Sequence, residues 1–98
     1  MKISIIIVNY NSQPALAVCL KALQANTAGP MEIIVVDNHS SDGSVGYLRK
    51  IKNPALRVIY NESNLGFTKA CNQGLKIAQG DLLVTMNPDV LVPRGWRE

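Results

Sequence analysis

The sequence predicts a three-layer αβα fold around a mainly parallel sheet. Two observations carry that prediction. Short runs rich in β-branched residues alternate with segments whose apolar residues recur at helical spacing. Such alternation builds parallel sheets through right-handed crossovers. The first two strand-like runs, Ile3-Ser4-Ile5-Ile6-Ile7-Val8 and Glu32-Ile33-Ile34-Val35-Val36-Asp37, are also almost continuously apolar, as suits strands covered on both faces.

The elements follow in order. Ile3 to Val8 runs straight into polar Asn9-Tyr10-Asn11. It is too short for a signal peptide and has no small-residue cleavage site, so it reads as a buried strand. Ser12 is placed as the N-cap of the first helix, with Pro14 in its first turn. Leu16, Cys19, Leu20 and Leu23 form its inner stripe, and Gly29-Pro30 ends the unit. After the second strand, Asn38 to Ser44 is a polar loop with Ser41 or Asp42 as cap for a short helix from Val45 to Lys50. Leu56 to Tyr60 shows some alternation, which places that third strand nearer the sheet edge. A helix is predicted over Phe67 to Gln79, with Phe67, Cys71, Leu75 and Ala78 inward and Gly80 as the C′ stop. Asp81 to Met86 is read as a fourth, buried strand, and Val90-Leu91-Val92-Pro93 as the start of a fifth extended piece.

Bulk properties exclude several classes. A chain of 98 residues is one domain at most. With 47% apolar and 17% charged residues it is globular rather than disordered. The net charge of +3 is scattered, with Arg49-Lys50 and Lys52 the nearest approach to a cluster, so no nucleic-acid partner is expected. Cys19 and Cys71 lie far apart on apolar helix faces without metal-ligand spacing. They read as buried, reduced thiols in a cytoplasmic protein. No run reaches the roughly 18 apolar residues of a membrane span.

If the fourth strand lies on the far side of the first from the second, a switch point forms beside the first strand. The carboxyl ends of strands one, two and four then converge on one crevice, where α/β sheets bind ligands. At these ends stand Asn9-Tyr10-Asn11, Asp37-Asn38 and Asn87-Pro88-Asp89. Tyr10 either lies against a nucleobase or packs under the first helix. Asp37 either accepts a hydrogen bond from a pyrimidine N3–H or a ribose hydroxyl, or caps its own turn. Ser40 to Ser44 lacks both phosphate-loop and dinucleotide-binding patterns, and the lone His39 has no partner at a telling spacing. Asn64-Leu65-Gly66 precedes a helix amino end, where glycine lets backbone approach a ligand. Asn72, about one turn into that helix, is expected to bond back to this loop. In Asn87-Pro88-Asp89, proline fixes the turn and Asp89 offers one anionic oxygen, enough for a hard cation only when a diphosphate adds more. A simple turn is the plainer reading.

Taken together, these strand ends resemble the amino-terminal half of family 2 glycosyltransferases, which have the GT-A fold. The residues that carry the likeness are Ile5 to Asn11, Ile33 to Ser44, Asn64-Leu65-Gly66-Phe67 with Asn72, and Asn87-Pro88-Asp89. The nearest flavour is the bacterial rhamnosyltransferase-like branch. The resemblance implies a Rossmann-like nucleotide-sugar-binding unit over residues 1–98, a single truncated domain. The half that binds the acceptor and supplies the general base is absent from this sequence. It implies an inverting transferase that moves a sugar from a UDP- or dTDP-sugar to a hydroxyl of a saccharide or lipid-linked acceptor, in cell-wall or polysaccharide synthesis. Asp37 is then the base-recognition aspartate, with Tyr10 against the base. Asn11, Asn64, Gly66 and Asn87 line the nucleotide site. Asp89 holds Mg²⁺ or Mn²⁺ against the diphosphate. No catalytic residue is assigned.

Two departures stand out. Many members have Asp-Asp where this chain has Asp37-Asn38, and position 87 is Asn rather than Asp. The isolated chain is expected to bind nucleotide weakly and to lack transfer. The parent enzyme is cytoplasmic, or peripheral at the inner membrane face. The alternative is a non-catalytic nucleotide-binding or self-associating module, dimerising through an exposed sheet edge with Trp96 packed across the interface. A nucleotidyltransferase is disfavoured because residues 9–14 contain no glycine and no basic residue.

Overall fold

The structure is a computed structural model that describes residues 1–90, 93, 95 and 96. Its elements are β1 (Ile3–Asn9), α1 (Gln13–Asn26), β2 (Met31–Asp37), α2 (Ser44–Lys50), β3 (Leu56–Tyr60), α3 (Phe67–Ile77) and β4 (Leu82–Met86). The four strands are all parallel, in the order β3-β2-β1-β4. β4 therefore lies across β1 from β2, and the switch point sits beside β1.

Strand parity divides the core into two layers. Ile3, Ile5 and Ile7 of β1, with Ile33 and Val35 of β2, pack on Leu16, Cys19, Leu20 and Leu23 of α1 and Leu48 of α2. Ile6, Ile34 and Val36 face the other way, onto Ala70 and Cys71 of α3. Both cysteines are free and buried. The α/β expectation holds, as do the predicted stripe of α1 and the edge position of β3. No helix among the described residues is long and apolar enough to cross a membrane.

Several expectations are corrected. β4 is not a buried strand: Leu82 is 44% and Leu83 47% exposed. Its apolar run resembles a covered strand, but among the described residues its sheet partner is β1 alone. Phe67 is 52% exposed, and the inward residues of α3 are Ala70, Cys71 and Gly74. That helix ends at Ile77, and Gly80 is no C′ stop. Gly80 instead lets the chain pass against β1, where a Cβ would lie 2.7 Å from the Ser4 nitrogen and 2.9 Å from the Lys2 carbonyl oxygen. α1 ends at Asn26, before Gly29-Pro30. Ser12 occupies its N-cap position without capping: its hydroxyl donates to the Tyr10 carbonyl, and Asp42 accepts the Gln13 N–H instead. Trp96 turns inward, donating its indole N–H to Thr27 Oγ1 at 2.7 Å and packing on the α1-side core. The expected extended piece at 90–93 falls partly on residues 91 and 92, outside the described residues.

Candidate functional site

The carboxyl ends of β1, β2 and β4 meet at the switch point, and a network of short polar side chains builds this end of the molecule. Asn9 and Asp37 are register partners on adjacent strands and both are buried. Asn9 Nδ2 donates to Asp37 Oδ1 at 2.9 Å and to Ser40 Oγ at 3.3 Å. Ser40 donates its hydroxyl to the same Oδ1 at 2.7 Å and its backbone N–H to Oδ2 at 2.9 Å. A carboxylate offers about four acceptor positions. Among the described residues Oδ1 is thus saturated, and Oδ2 keeps one position open. Asn9 Oδ1 is buried with no partner among the described residues.

Asn38 explains the first departure from the family pattern. Its backbone N–H donates to the Asn9 carbonyl. Its side-chain oxygen accepts from Asn61 Nδ2 at 3.0 Å and the Leu65 N–H at 3.3 Å, while its Nδ2 donates to the Gly66 carbonyl at 3.1 Å. An amide both donates and accepts, whereas an ionised aspartate only accepts. Asparagine therefore ties β2 to the loop ahead of α3 from both sides. Asn61 and Gln73 complete the tie through a reciprocal amide pair at 2.8 and 2.9 Å. Gln73 takes the part foreseen for Asn72, which faces solvent.

The β1–α1 and β2–α2 loops are latched together. Asn11 sits at φ 50° and accepts the Ser41 N–H on Oδ1 at 2.7 Å, while its own N–H donates to Ser40 Oγ. Asp42 accepts from Gln13 N–H, Ser44 N–H and the Ser44 hydroxyl. That hydroxyl bond is the main reason its carboxyl lies below the usual carboxylate range. The cap expected of Ser41 or Asp42 is corrected: Gly43, at φ 106°, holds the N-cap position of α2, and Asp42 stands one residue before it and accepts from Ser44. Tyr10 is half exposed rather than packed under α1. Asn64 Oδ1 accepts the Gly66 N–H at 2.9 Å, an Asx turn. Gly66 holds φ 82° at the α3 N-cap, a conformation that suits glycine.

The Asn87-Pro88-Asp89 turn follows β4, whose Met86 is register partner to Ile7. Val90 N–H closes it onto the Asn87 carbonyl at 3.2 Å, and both Asn87 and Asp89 are exposed. Between this turn and the start of α1 lies an apolar cleft of about 320 Å³, lined by Pro14, Ala15, Val18, Pro88, Asp89 and Val90. A second cleft of about 500 Å³ opens on the other side of Asp37, toward α2 and the end of β3. Burial, and then the charge of Asp89, push the Cys19 thiol up. No group of three metal-ligating side chains occurs among the described residues. Asp89 fits a divalent cation only as one ligand among phosphate oxygens.

The whole length of this arrangement has counterparts in known proteins. The family described as Glycosyl transferase family 2 matches residues 4–98. The chain belongs to glycosyl transferase family 2. A Bacillus subtilis (strain 168) relative named uncharacterized glycosyltransferase YwdF is 38% identical over 89 residues, which cover 91% of this chain and 33% of that protein. Mannosyltransferase PcManGT from Pyrobaculum calidifontis, solved with GDP-Man and Mn²⁺, superposes with a TM-score of 0.85 at 26% identity, covering 93% of this chain and 28% of that one. S. aureus TarS 1-349 in complex with UDP-GlcNAc gives 0.83 at 31% identity, covering 91% and 27%. The four-stranded parallel sheet is thus that of GT-A glycosyltransferases. This family 2 chain spans at most about a third of the length of these relatives.

The strand ends singled out from the sequence do converge at the switch point, while the wiring beneath them is not legible in the sequence. Asn9, Ser40, Asn38 and Asn61 hold the site together, and Arg49 and Tyr60 wall the second cleft. A polar residue ending an otherwise apolar strand was the available signal for Asn9. The cross-loop partners of Ser40 and Asn38 required the fold.

Proposed function

We propose that this chain is the donor-nucleotide portion of an inverting family 2 glycosyltransferase, in the rhamnosyltransferase-like branch that the Asn87-Pro88-Asp89 turn favours. The parent enzyme transfers a sugar from a UDP- or dTDP-sugar to a hydroxyl of a saccharide or lipid-linked acceptor, in cell-wall or polysaccharide synthesis on the cytoplasmic side of the membrane. The observation that carries this reading is the meeting of Tyr10, Asp37 and the Asn87–Asp89 turn at one switch point. The donors held by the mannosyltransferase and TarS structures support it.

In this reading the open acceptor position on Asp37 Oδ2 takes the base N3–H, and Tyr10 lays its exposed ring along the base. The unpartnered Asn9 carbonyl supplies a buried acceptor beside it. Asn11, Asn64 and Gly66 shape the crevice, and Asn87 and Asp89 face the diphosphate. A bound Mg²⁺ or Mn²⁺ supplies compensation for charge on the departing nucleoside diphosphate. No residue here is assigned as the base that deprotonates the acceptor, so the chain alone binds donor without transferring it. Titration calorimetry with UDP and dTDP, with and without Mn²⁺, tests the reading. Metal-enhanced binding is expected, and a folded chain that binds neither nucleotide refutes it.

A second reading has its own observation. Leu82 and Leu83 are exposed on the strand at the end of the sheet, and exposed apolar edges invite pairing. Self-association of the chain would appear as a concentration-dependent size in gel filtration with light scattering.

A further inference from the structure

We infer that Arg49 is a base-selecting residue. Together with Asp37 it reads a ring N–H that stands next to a ring carbonyl, which admits uracil, thymine and guanine and rejects cytosine and adenine. The inference rests on the donor-site reading above and adds to it a residue that the sequence motifs do not touch.

The argument starts from strand parity. Leu56 and Val58 of β3 pack in the same layer as Ile33 and Val35 of β2. Tyr60, two residues beyond Val58, therefore points to the α2 side, and it is the register partner of Asp37. Adjacent strands lie about 4.8 Å apart, so Tyr60 and Asp37 are cross-strand neighbours on one face of the sheet. Arg49, in the last turn of α2, lies over the Tyr60 ring with its guanidinium carbon 5.2 Å from the centroid. A cation held over an aromatic face is restrained in position. Arg49, Tyr60 and Asp37 all line the same cleft of about 500 Å³, within the range of small-molecule sites.

The hydrogen-bond inventory then narrows the ligand. Asp37 is anchored by Asn9 and Ser40 and has one acceptor position left, on Oδ2. It takes one N–H. The Arg49 guanidinium has donors only and takes a carbonyl oxygen. Uracil and thymine offer N3–H beside O4, and guanine offers N1–H beside O6. Cytosine and adenine present an unprotonated ring nitrogen beside an amino group, which meets the carboxylate with a lone pair and the guanidinium with N–H bonds. A phosphate is a poor alternative for this cleft, because Asp37 and Glu62 both line it and two carboxylates oppose an anion. Glu62 and His39 stand at its exposed rim.

The experiment is calorimetric binding of UDP, dTDP, GDP, CDP and ADP to the full chain, in Mn²⁺, for wild type, Arg49→Met and Tyr60→Leu. Wild type is expected to hold the first three about tenfold more tightly than CDP and ADP, the size of one well-placed hydrogen-bonding pair. Arg49→Met, which keeps the aliphatic stem on an exposed helix turn, should bring all five within about threefold. Tyr60→Leu should lose part of the selectivity while retaining the guanidinium. Circular dichroism confirms that the variants fold. Selectivity unchanged in Arg49→Met overturns the role of Arg49 and leaves the donor site standing. Failure of wild type to bind any of the five overturns the donor-site reading and this inference with it.

Discussion

Each end of the sheet carries a buried carboxylate that ties strands together, and the two are used differently. At the amino end, Glu32 accepts from the Ser4 hydroxyl, the Gln79 N–H and Arg57 Nη1. At the carboxyl end, Asp37 accepts from Asn9, the Ser40 hydroxyl and the Ser40 N–H. The chemistry is nearly the same, a serine and a backbone N–H closing on a carboxylate. The surroundings differ. Over Glu32 the backbone closes at Gly80, whose N–H donates to Ser4 Oγ at 2.7 Å. Beside Asp37 a cleft opens instead. Each carboxylate thus has three of about four acceptor positions filled, and what separates them is cover: closed over by backbone, Glu32 is a staple. An anchored carboxylate that borders a cleft at a strand's carboxyl end is placed where α/β sheets bind ligands, as the proposed donor site requires.

The largest effect is expected from breaking the staple. Glu32→Ala leaves the Ser4 hydroxyl, the Gln79 N–H and Arg57 without their shared partner. It should cost about 2–4 kcal/mol in urea unfolding, the range for orphaning buried polar groups. Once folded, the variant should bind UDP as wild type does. A variant that stays stable but loses UDP would reverse the assignment of the two ends. Gly80→Ala strains the same closure, since its Cβ would sit 2.7 Å from backbone nitrogen that has little room to move. About 1–3 kcal/mol is expected there, as for other overpacked sites.

At the open end the effects should appear in binding. Asp37→Ala should weaken UDP about tenfold with or without Mn²⁺. Asp89→Ala should remove only the metal-dependent increment, as its proposed role toward the cation rather than the base requires. Calorimetry on both variants in both conditions checks this. Equal losses for both variants in both conditions would mean that the two carboxylates do not have separate roles.

Much of this was legible in the sequence because parallel strands are nearly continuous apolar runs. Ile3 to Val8 and Ile33 to Val36 declared themselves as central strands. The strand ends that hold Tyr10, Asp37 and Asp89 followed from element order alone. Burial of β4 and of Phe67 was misjudged because apolar composition does not say whether anything covers a residue. A glycine required by close backbone approach, as Gly80 is, looks in sequence like a helix stop. The latches of Ser40, Asn38, Asp42 and Arg49 join segments far apart in the chain. Local pattern carries no information about such partners; only the strand order brings them together.

The smallest predicted effect sharpens the comparison through pH. Burial alone would raise the Glu32 carboxyl, but the Ser4 hydroxyl, the Gln79 N–H, Arg57 and Lys2 more than offset it and bring it below the usual range. Asp42, in the latch beside the site, is also lowered, chiefly by the Ser44 hydroxyl. A carboxyl whose folded value lies below its unfolded value binds fewer protons in the native state. Its stabilisation is therefore full above the unfolded value and is lost as pH falls through the folded one. Urea midpoints measured from pH 7 downward should begin to fall near the ordinary carboxylate range of about 4. Glu32→Gln should remove the larger share of that acid-side slope, because its carboxylate is almost wholly shielded from water. Asp42→Asn should remove a smaller share, since its side chain is exposed and solvent screens it. If Asp42→Asn flattened the profile more than Glu32→Gln did, the site-end latch rather than the staple would carry the acid sensitivity of the fold.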